Sequence, residues 1–504
     1  MRHHPTGHGP RFVTGHTDTS TTLGYAQGLL EVAFAAVASG HHAEAAALVR
    51  MLIGQLGPRE ADALLLLGQQ QRRIGDLAGA EWLLRQAVAV NPMQADALMD
   101  LGETLRLAGK PRQAVPFLER AAALVPDAPG LRASLAASYT ALENHQEALR
   151  WARAELAANP NQPAAHGLMG DVLARLGRAQ EAITEYDKAL ALRPEESRAR
   201  YGRALARLEL GDMPGAWRDH EARLDILGTA PFTQPAWHGQ KRIKRRRILL
   251  YAEQGYADTV QFVRYATLVA TTGATVLLRV QPDLGRLCAT VPGVSAASEL
   301  ADPVPAFDLH CPLLSLPAIF ATSLKTIPHA VPYLTADDFV RGQWRQALKP
   351  WRKMRVGLAW RGAASMLSAS IPPGALAPLL ARTDIECHTL QRVASNEEQA
   401  TFAQAADMAD HSLGLTHVDQ IAGLIAEMDL VIAVDSVEAH LAGALGVAAW
   451  VMLPHPANWR WLREREDSPW YPTMRLFRQR HPGDWHSVIE QVMHNLDAWA
   501  VQRA

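Results

Sequence analysis

Four places in the second half of the sequence bring chemically capable residues to the end of an apolar run. The run ILLYAE, 248–253, leads through Gln254, Gly255, Tyr256 and Ala257 to Asp258, at the start of the helical stretch VQFVRYATLVATTG. A carboxylate there has two uses. It can cap the helix by accepting a free amide, or it can face a cleft as a general base and take a proton from an attacking acceptor group. The run MRVGLAW ends in Trp360, Arg361 and Gly362, and ECHTLQ ends in Gln391 followed by Arg392. Two guanidinium forks suit the oxygens of a diphosphate, although each residue also reads as an ordinary surface arginine. The run DLVIAVD delivers Asp435 and Ser436 to the helix VEAHLAGALG, with His440 one turn in. Ser436 and the free amides of that helix form an anion site. The plainer alternative is that Asp435 and Ser436 cap the helix and His440 packs. Downstream, the segment from Pro454 to Trp461 clusters aromatic and polar groups, either as a stacking wall for a base or sugar or as a loop packed on the cleft.

These residues need elements that hold them. ILLYAE, TVLLRV, FDLHCPL, MRVGLAW, ECHTLQ, DLVIAVD and AAWVMLP are short apolar runs separated by helical stretches. Near-continuous apolar strands alternating with amphipathic helices imply parallel sheets covered on both faces, which bind ligands beyond the carboxyl ends of their strands. The break at VPYLTADDFVRGQWRQALKPWRK divides the region into two Rossmann-like lobes, 248–345 and 346–504, with a cleft between them.

The first half has a different period. Units begin at Ala61, Ala95, Pro129, Pro163 and Ser197, a 34-residue spacing that matches the two-helix tetratricopeptide (TPR) unit. A small residue recurs at the eighth place (Gly68, Gly102, Ala136, Gly170, Ala204) and alanine at the twentieth (Ala80, Ala114, Ala148, Ala182, Ala216), where two helices must approach closely. Pro58, Pro92, Pro126, Pro160 and Pro194 fall near unit ends, where a ring without an amide donor stops a helix. An offset first unit starts at Ala26, which gives a TPR solenoid over 26–224 of about six repeats, with a concave face suited to an extended peptide or a docked partner. The alternative is that the repeats only dimerise the protein or support the other half. Residues 225–247 read as a linker ending in the basic run Lys241 to Arg247, a solvated strand edge or a weak phosphate lure. The histidine-bearing 1–25 reads as a disordered leader.

The chain of 504 residues carries 50 Lys+Arg against 51 Asp+Glu, which gives no global reason to expect a nucleic-acid or membrane-surface binder. Cys288, Cys311 and Cys387 are far apart, so neither a disulfide framework nor a zinc site is expected. No apolar stretch reaches the length of a membrane span and no signal peptide is recognisable, so the expected location is cytoplasmic.

The segments AEQGYADTVQFVRYA, FDLHCPLLSLP, IPHAVPYL, VGLAWRG, DLVIAVDSVEAHLAGALG and WRWLREREDSPWYPTMRLFRQRHPGDW resemble bacterial TPR proteins bearing a heptosyltransferase-like (glycosyltransferase family 9) domain. The resemblance implies an all-α TPR solenoid followed by an α/β GT-B-like domain of two Rossmann-like lobes. It also implies metal-independent, inverting transfer with no cofactor beyond a nucleotide-diphosphate sugar as co-substrate. Asp258 occupies the place of the family's presumed base. Asp435, Ser436 and His440 match its Asp-Ser/Thr-x-x-x-His donor signature, and Gln254, Gly255, Trp360, Arg361, Gly362, Gln391 and Arg392 complete the implied donor site. The implied partner is an acceptor protein in the TPR groove, flagellin-like proteins among the candidates. A lipid-linked glycan acceptor is a further reading. Two departures point to an alternative, a non-catalytic scaffold with a degenerate transferase fold. Ala257 stands where relatives have glycine, and Ala363 to Ser370 contains no cation where relatives have several.

Overall fold

A computed structural model describes Val32 and residues 60–228, 232–240, 243–348, 353–362, 369–391, 395–403, 405 and 407–503. The leader and, apart from Val32, the offset first repeat therefore lie outside the described residues. The chain divides into two compact units, Met1–Leu142 and Glu143–Ala504.

In the first unit the helices Glu60–Arg73, Leu77–Val90, Ala95–Leu107, Pro111–Leu124 and Leu131–Ala141 follow the 34-residue register. The small eighth residue has a clear physical cause. A Cβ on Gly68 would lie 2.6 Å from Leu84 Cγ and one on Gly102 would lie 2.5 Å from Leu118 Cγ, so each leucine of the second helix occupies the space a side chain would need. Ala80 and Ala114, at the twentieth place, are fully buried. Asp76 caps the helix after it by accepting from the Gly79 amide at 2.9 Å.

The second unit opens with further repeat helices, His145–Ala158, Pro163–Arg175, Ala179–Leu192, Ser197–Glu209 and Met213–His220, followed by a short turn of helix, Arg223–Leu227. Among the described residues ten strands follow: β1 Arg247–Tyr251, β2 Thr275–Val280, β3 Val294–Glu299, β4 Leu309–Pro312, β5 Met354–Ala359, β6 Ile385–Thr389, β7 Met408–Ala409, β8 Leu430–Val434, β9 Ala449–Leu453 and β10 Met474–Arg478. They form one four-stranded sheet in the order β3-β2-β1-β4 and one six-stranded sheet in the order β10-β9-β8-β5-β6-β7. Every pairing is parallel. The second order is that of a doubly wound dinucleotide-type sheet, whose strand order reverses beside β5 and opens a crevice at its carboxyl end. β8 and β9 are apolar and buried throughout, and the middle of β1, Ile248 to Leu250, is buried as well, because helices cover both faces.

Several contacts join repeats and sheets within this unit, an Arg463–Glu209 ion pair at 2.9 Å among them. The Trp217 indole donates to the Thr322 carbonyl at 2.7 Å. Arg223, 1% exposed, donates to Glu221 and Glu253, each at 2.7 Å, and to the Ser315 hydroxyl at 2.8 Å. The stretch expected to be a linker is ordered along part of its length. Ala236 bridges to His310 in parallel and Trp237 N–H donates to the His310 carbonyl at 2.8 Å, which covers the open edge of β4.

Candidate functional site

Each described candidate residue follows the carboxyl end of a strand. β1 leads to Gly255 and the helix Tyr256–Phe262, and β8 leads to Ser436 and the helix Val437–Ala444. These two helices pack against each other, so the carboxyl ends of the two sheets face one another.

Asp258 is the third residue of its helix, and its Oδ2 accepts from the Gly255 amide at 3.0 Å. The capping use of this carboxylate is thus realised. Its other oxygen accepts from Arg460, on the single turn Trp459–Trp461 that follows β9. The two side chains are only 14% and 10% exposed, so the ion pair is shielded from water. Arg460 is further fixed by donating to Gln261 Oε1 at 2.6 Å and to Asn458 Oδ1 at 3.0 Å. Ala257 lies in the first turn of the helix and outside the left-handed region. The glycine that relatives carry is therefore not required for backbone conformation here. Gln254 and Gly255 take part through their carbonyls, which accept from the Gln281 amide at 2.7 and 3.2 Å.

At the second helix, His440 is 1% exposed, with Nδ1 2.8 Å from the Tyr471 hydroxyl and Nε2 3.7 Å from Asp435. Burial holds the imidazole below its ordinary value, against the pull of Asp435. Ser436 is the N-cap, yet its side chain makes no capping bond. Glu438, 5% exposed in the first helical turn, was not singled out from the sequence. Burial pushes its carboxyl up, while Ser436, its own amide and Gln391 pull the other way. A carboxyl group of the protein thus occupies the neighbourhood of the free amides that would otherwise receive an external anion.

The first strand of the second sheet adds a bracing network. Gln391 Oε1 accepts the Trp360 and Arg361 amides at 3.0 and 2.9 Å, and its Nε2 donates to the Arg361 carbonyl at 2.9 Å and to Glu438 at 3.2 Å. Trp360 is buried, with its indole donating to Glu398 at 2.6 Å, and Arg361 Nε lies 3.6 Å from the same carboxylate. Gly362 passes so close to the chain that a Cβ would sit 2.6 Å from the Ala369 carbonyl. Arg361, Gln391 and Glu438 line a cleft of about 300 Å³ together with Leu390, Leu415 and Ile421. Arg392 and residues 363–368 lie outside the described residues.

Of the two readings of the segment from Pro454 to Trp461, a stacking wall or a packed loop, burial favours the packed loop. Trp459 packs on Phe262 and Trp470, and Trp461 is fully buried against His440, so neither indole offers a face to a ligand. Arg460 is what that segment contributes instead. Buried Arg264 adds a second cross-link between the sheets, donating to the Trp470 carbonyl at 2.6 Å and to the Tyr333 hydroxyl at 2.9 Å. Among the described residues, no group of three or more His, Cys, Asp and Glu side chains has metal-holding geometry.

The tetratricopeptide-repeat family matches residues 71–129, 168–230 and 105–172, and the N-terminal region is a set of TPR repeats. Protein FlbA of Caulobacter vibrioides is similar at 25% identity over 385 residues, an alignment that covers 62% of this chain. The chain spans 63% of that relative's length. Solved structures similar to it include MamA of Desulfovibrio magneticus RS-1, 19% identical, covering 33% of this chain and 92% of that one with a TM-score of 0.28. A thermophilic TPR protein of Thermus thermophilus is 25% identical, covering 33% and 90% respectively, with a TM-score of 0.30. No helix among the described residues is long and apolar enough to cross a membrane.

Proposed function

We propose that the chain is a protein-holding TPR scaffold whose α/β half has a two-lobed, GT-B-like plan with its donor-phosphate position taken by its own side chains. Glu438 carries this reading. A nucleotide-sugar diphosphate would have to settle at the start of the helix Val437–Ala444, and a buried carboxyl already stands in that first turn. Two acidic groups cannot share so dry a place without one of them being neutralised. The Arg460–Asp258 pair adds to the argument, because a carboxylate held by a shielded guanidinium and a backbone amide is bound to structure rather than free for proton abstraction. The scaffold holds its partner in the cytoplasm through the repeats. Calorimetry of the full chain against nucleoside-diphosphate sugars gives no saturable heat on this reading, and saturable binding followed by transfer or hydrolysis would sink it.

The convergence of Asp258, Asp435 and His440 at facing strand ends favours a second reading, an inverting, metal-independent glycosyltransferase acting on a protein hydroxyl, flagellin-like acceptors included. There Asp258 Oδ takes the acceptor's proton while the acceptor oxygen bonds to the anomeric carbon. The bond from that carbon to the diphosphate breaks and the nucleoside diphosphate leaves with its electron pair, steadied by the helix amides. Sugar transfer by the wild type that is lost in Asp258→Asn, while nucleotide affinity is kept, supports this reading over the first.

A further inference from the structure

A cavity of about 560 Å³ lies where the end of the last repeat meets the first sheet. Its walls come from three places: Glu221, Leu224 and Asp225 at the repeat end, Trp237 and His238 from the covering segment, and Tyr251, His310 and Ile319 from the sheet side. The volume falls in the range of sites that take a small ligand or an anchoring side chain.

The charge around it is one-sided. No lysine or arginine is among the described residues lining the cavity, whereas Glu221 and Asp225 both are. Behind them, Arg223 is the guanidinium shared by Glu221 and Glu253, at 2.7 Å each. Among the described residues Asp225 has a hydroxyl partner, Ser197, whose Oγ donates at 2.7 Å, and no cation. Glu221 and Glu253 thus share one buried cation, and Asp225 adds a further carboxylate with none. His310 does not restore the balance, since burial holds its imidazole below the ordinary value, and its Nδ1 has no hydrogen-bond partner among the described residues. The Tyr251 phenol is pushed up, chiefly by burial and further by the charge of Glu253.

The remaining walls are aromatic and aliphatic. Tyr251 packs against Phe232 and His310 at ring separations of 5.3 and 5.8 Å, and Trp237 and Ile319 complete an apolar sleeve. An apolar sleeve ending in carboxylates and ring faces fits a cation carried on a hydrocarbon stem.

We infer that this cavity is a binding site for an alkylammonium or guanidinium group, filled by a lysine or arginine side chain of the protein segment that the repeats hold. The inference rests on the reading of the repeats as a protein-holding surface, and it gives that surface a sequence preference. A basic residue anchors in the cavity while Asp225 and Glu221 take its charge. A neutral side chain of equal length gains the sleeve but not the carboxylates.

The test titrates the full chain with the tripeptide acetyl-Gly-Lys-Gly-amide and its norleucine twin, following ligand signals by saturation-transfer NMR. The lysine peptide is expected to bind at least tenfold more tightly than the norleucine peptide. Asp225→Asn is expected to reduce that preference at least fivefold, and Ala318→Phe, which fills the cavity from its apolar side, is expected to abolish binding of both. Equal affinity for the two peptides, no saturation by the lysine peptide, or a preference unchanged in Asp225→Asn overturns the inference. Tighter binding of free 1,4-diaminobutane than of the lysine peptide overturns the assignment to a protein segment. Tripeptides are too short to engage the repeats, so failure here is distinct from failure of the scaffold reading, which capture of a full-length partner by residues 60–228 of the intact chain would judge.

Discussion

Asp258 is where the structural and catalytic readings part most sharply, and its pairing with Arg460 can be measured. Asp258→Asn keeps an oxygen for the Gly255 amide but removes the charge facing Arg460. Arg460 would keep Gln261 and Asn458, two neutral acceptors, with its side chain only 10% exposed. Breaking a buried pair by removing one partner costs about 3 to 5 kcal/mol. The residual exposure and the surviving neutral bonds put this case at the lower end, about 3 kcal/mol. Arg460→Met should cost a similar amount, and the double variant much less than the sum, giving a coupling of at least about 1.5 kcal/mol. Urea unfolding of the full chain followed by tryptophan fluorescence reads this cycle, since every tryptophan but Trp82 lies beyond Leu142. A coupling below about 0.5 kcal/mol, the value of an exposed pair, would refute the claim that Asp258 is committed to structure.

Other outcomes follow from the same physics. His388 is buried and held down to about 3, so on acidification the unfolded chain takes a proton near its ordinary value while the folded chain does not. Stability should therefore fall by about 1.5 to 2 kcal/mol between about pH 6.5 and pH 5 on its account, a slope that His388→Asn flattens in denaturant titrations at the two pH values. Glu438 has the opposite sense. Its carboxyl is raised, so its contribution is present below the unfolded value of 4.5 and is lost as pH rises through the folded one, and Glu438→Gln should stabilise the chain at about pH 8 more than at about pH 4.5. Gly102→Ala should cost about 1 to 2 kcal/mol, because the collision with Leu118 outweighs the helix-propensity gain, whereas Gly342→Ala, with open space around it, should stabilise by about 0.5 to 1 kcal/mol in the same assay.

How much of this could be read in the sequence depends on how local each cause is. The repeats were legible because one packing rule, a small residue under a leucine or tyrosine of the next helix, recurs every 34 residues, as Gly68, Gly102 and Gly170 show. Seven strands were legible as apolar runs. VSAASE, Met408–Ala409 and MRLFR were not, and all three are edge strands, where a mixed composition is tolerated on the open side. At the site, the Asp258 cap needed only three residues of sequence to foresee. Its partner Arg460 is 202 residues away, joined to it only when the two sheets meet. Glu438 sat in plain view between Asp435 and His440. Acidic residues are routine in a first helical turn, and only the burial created by Gln391 and the packed strand ends gives this one its consequence.

The central claim is that this helix start has no room for a second anion. Isothermal titration of the intact chain with nucleoside-diphosphate sugars, repeated on Glu438→Ala, tests it most directly. The account predicts no saturable heat for the wild type. Micromolar binding to the wild type, undiminished by the presence of Glu438, would contradict it.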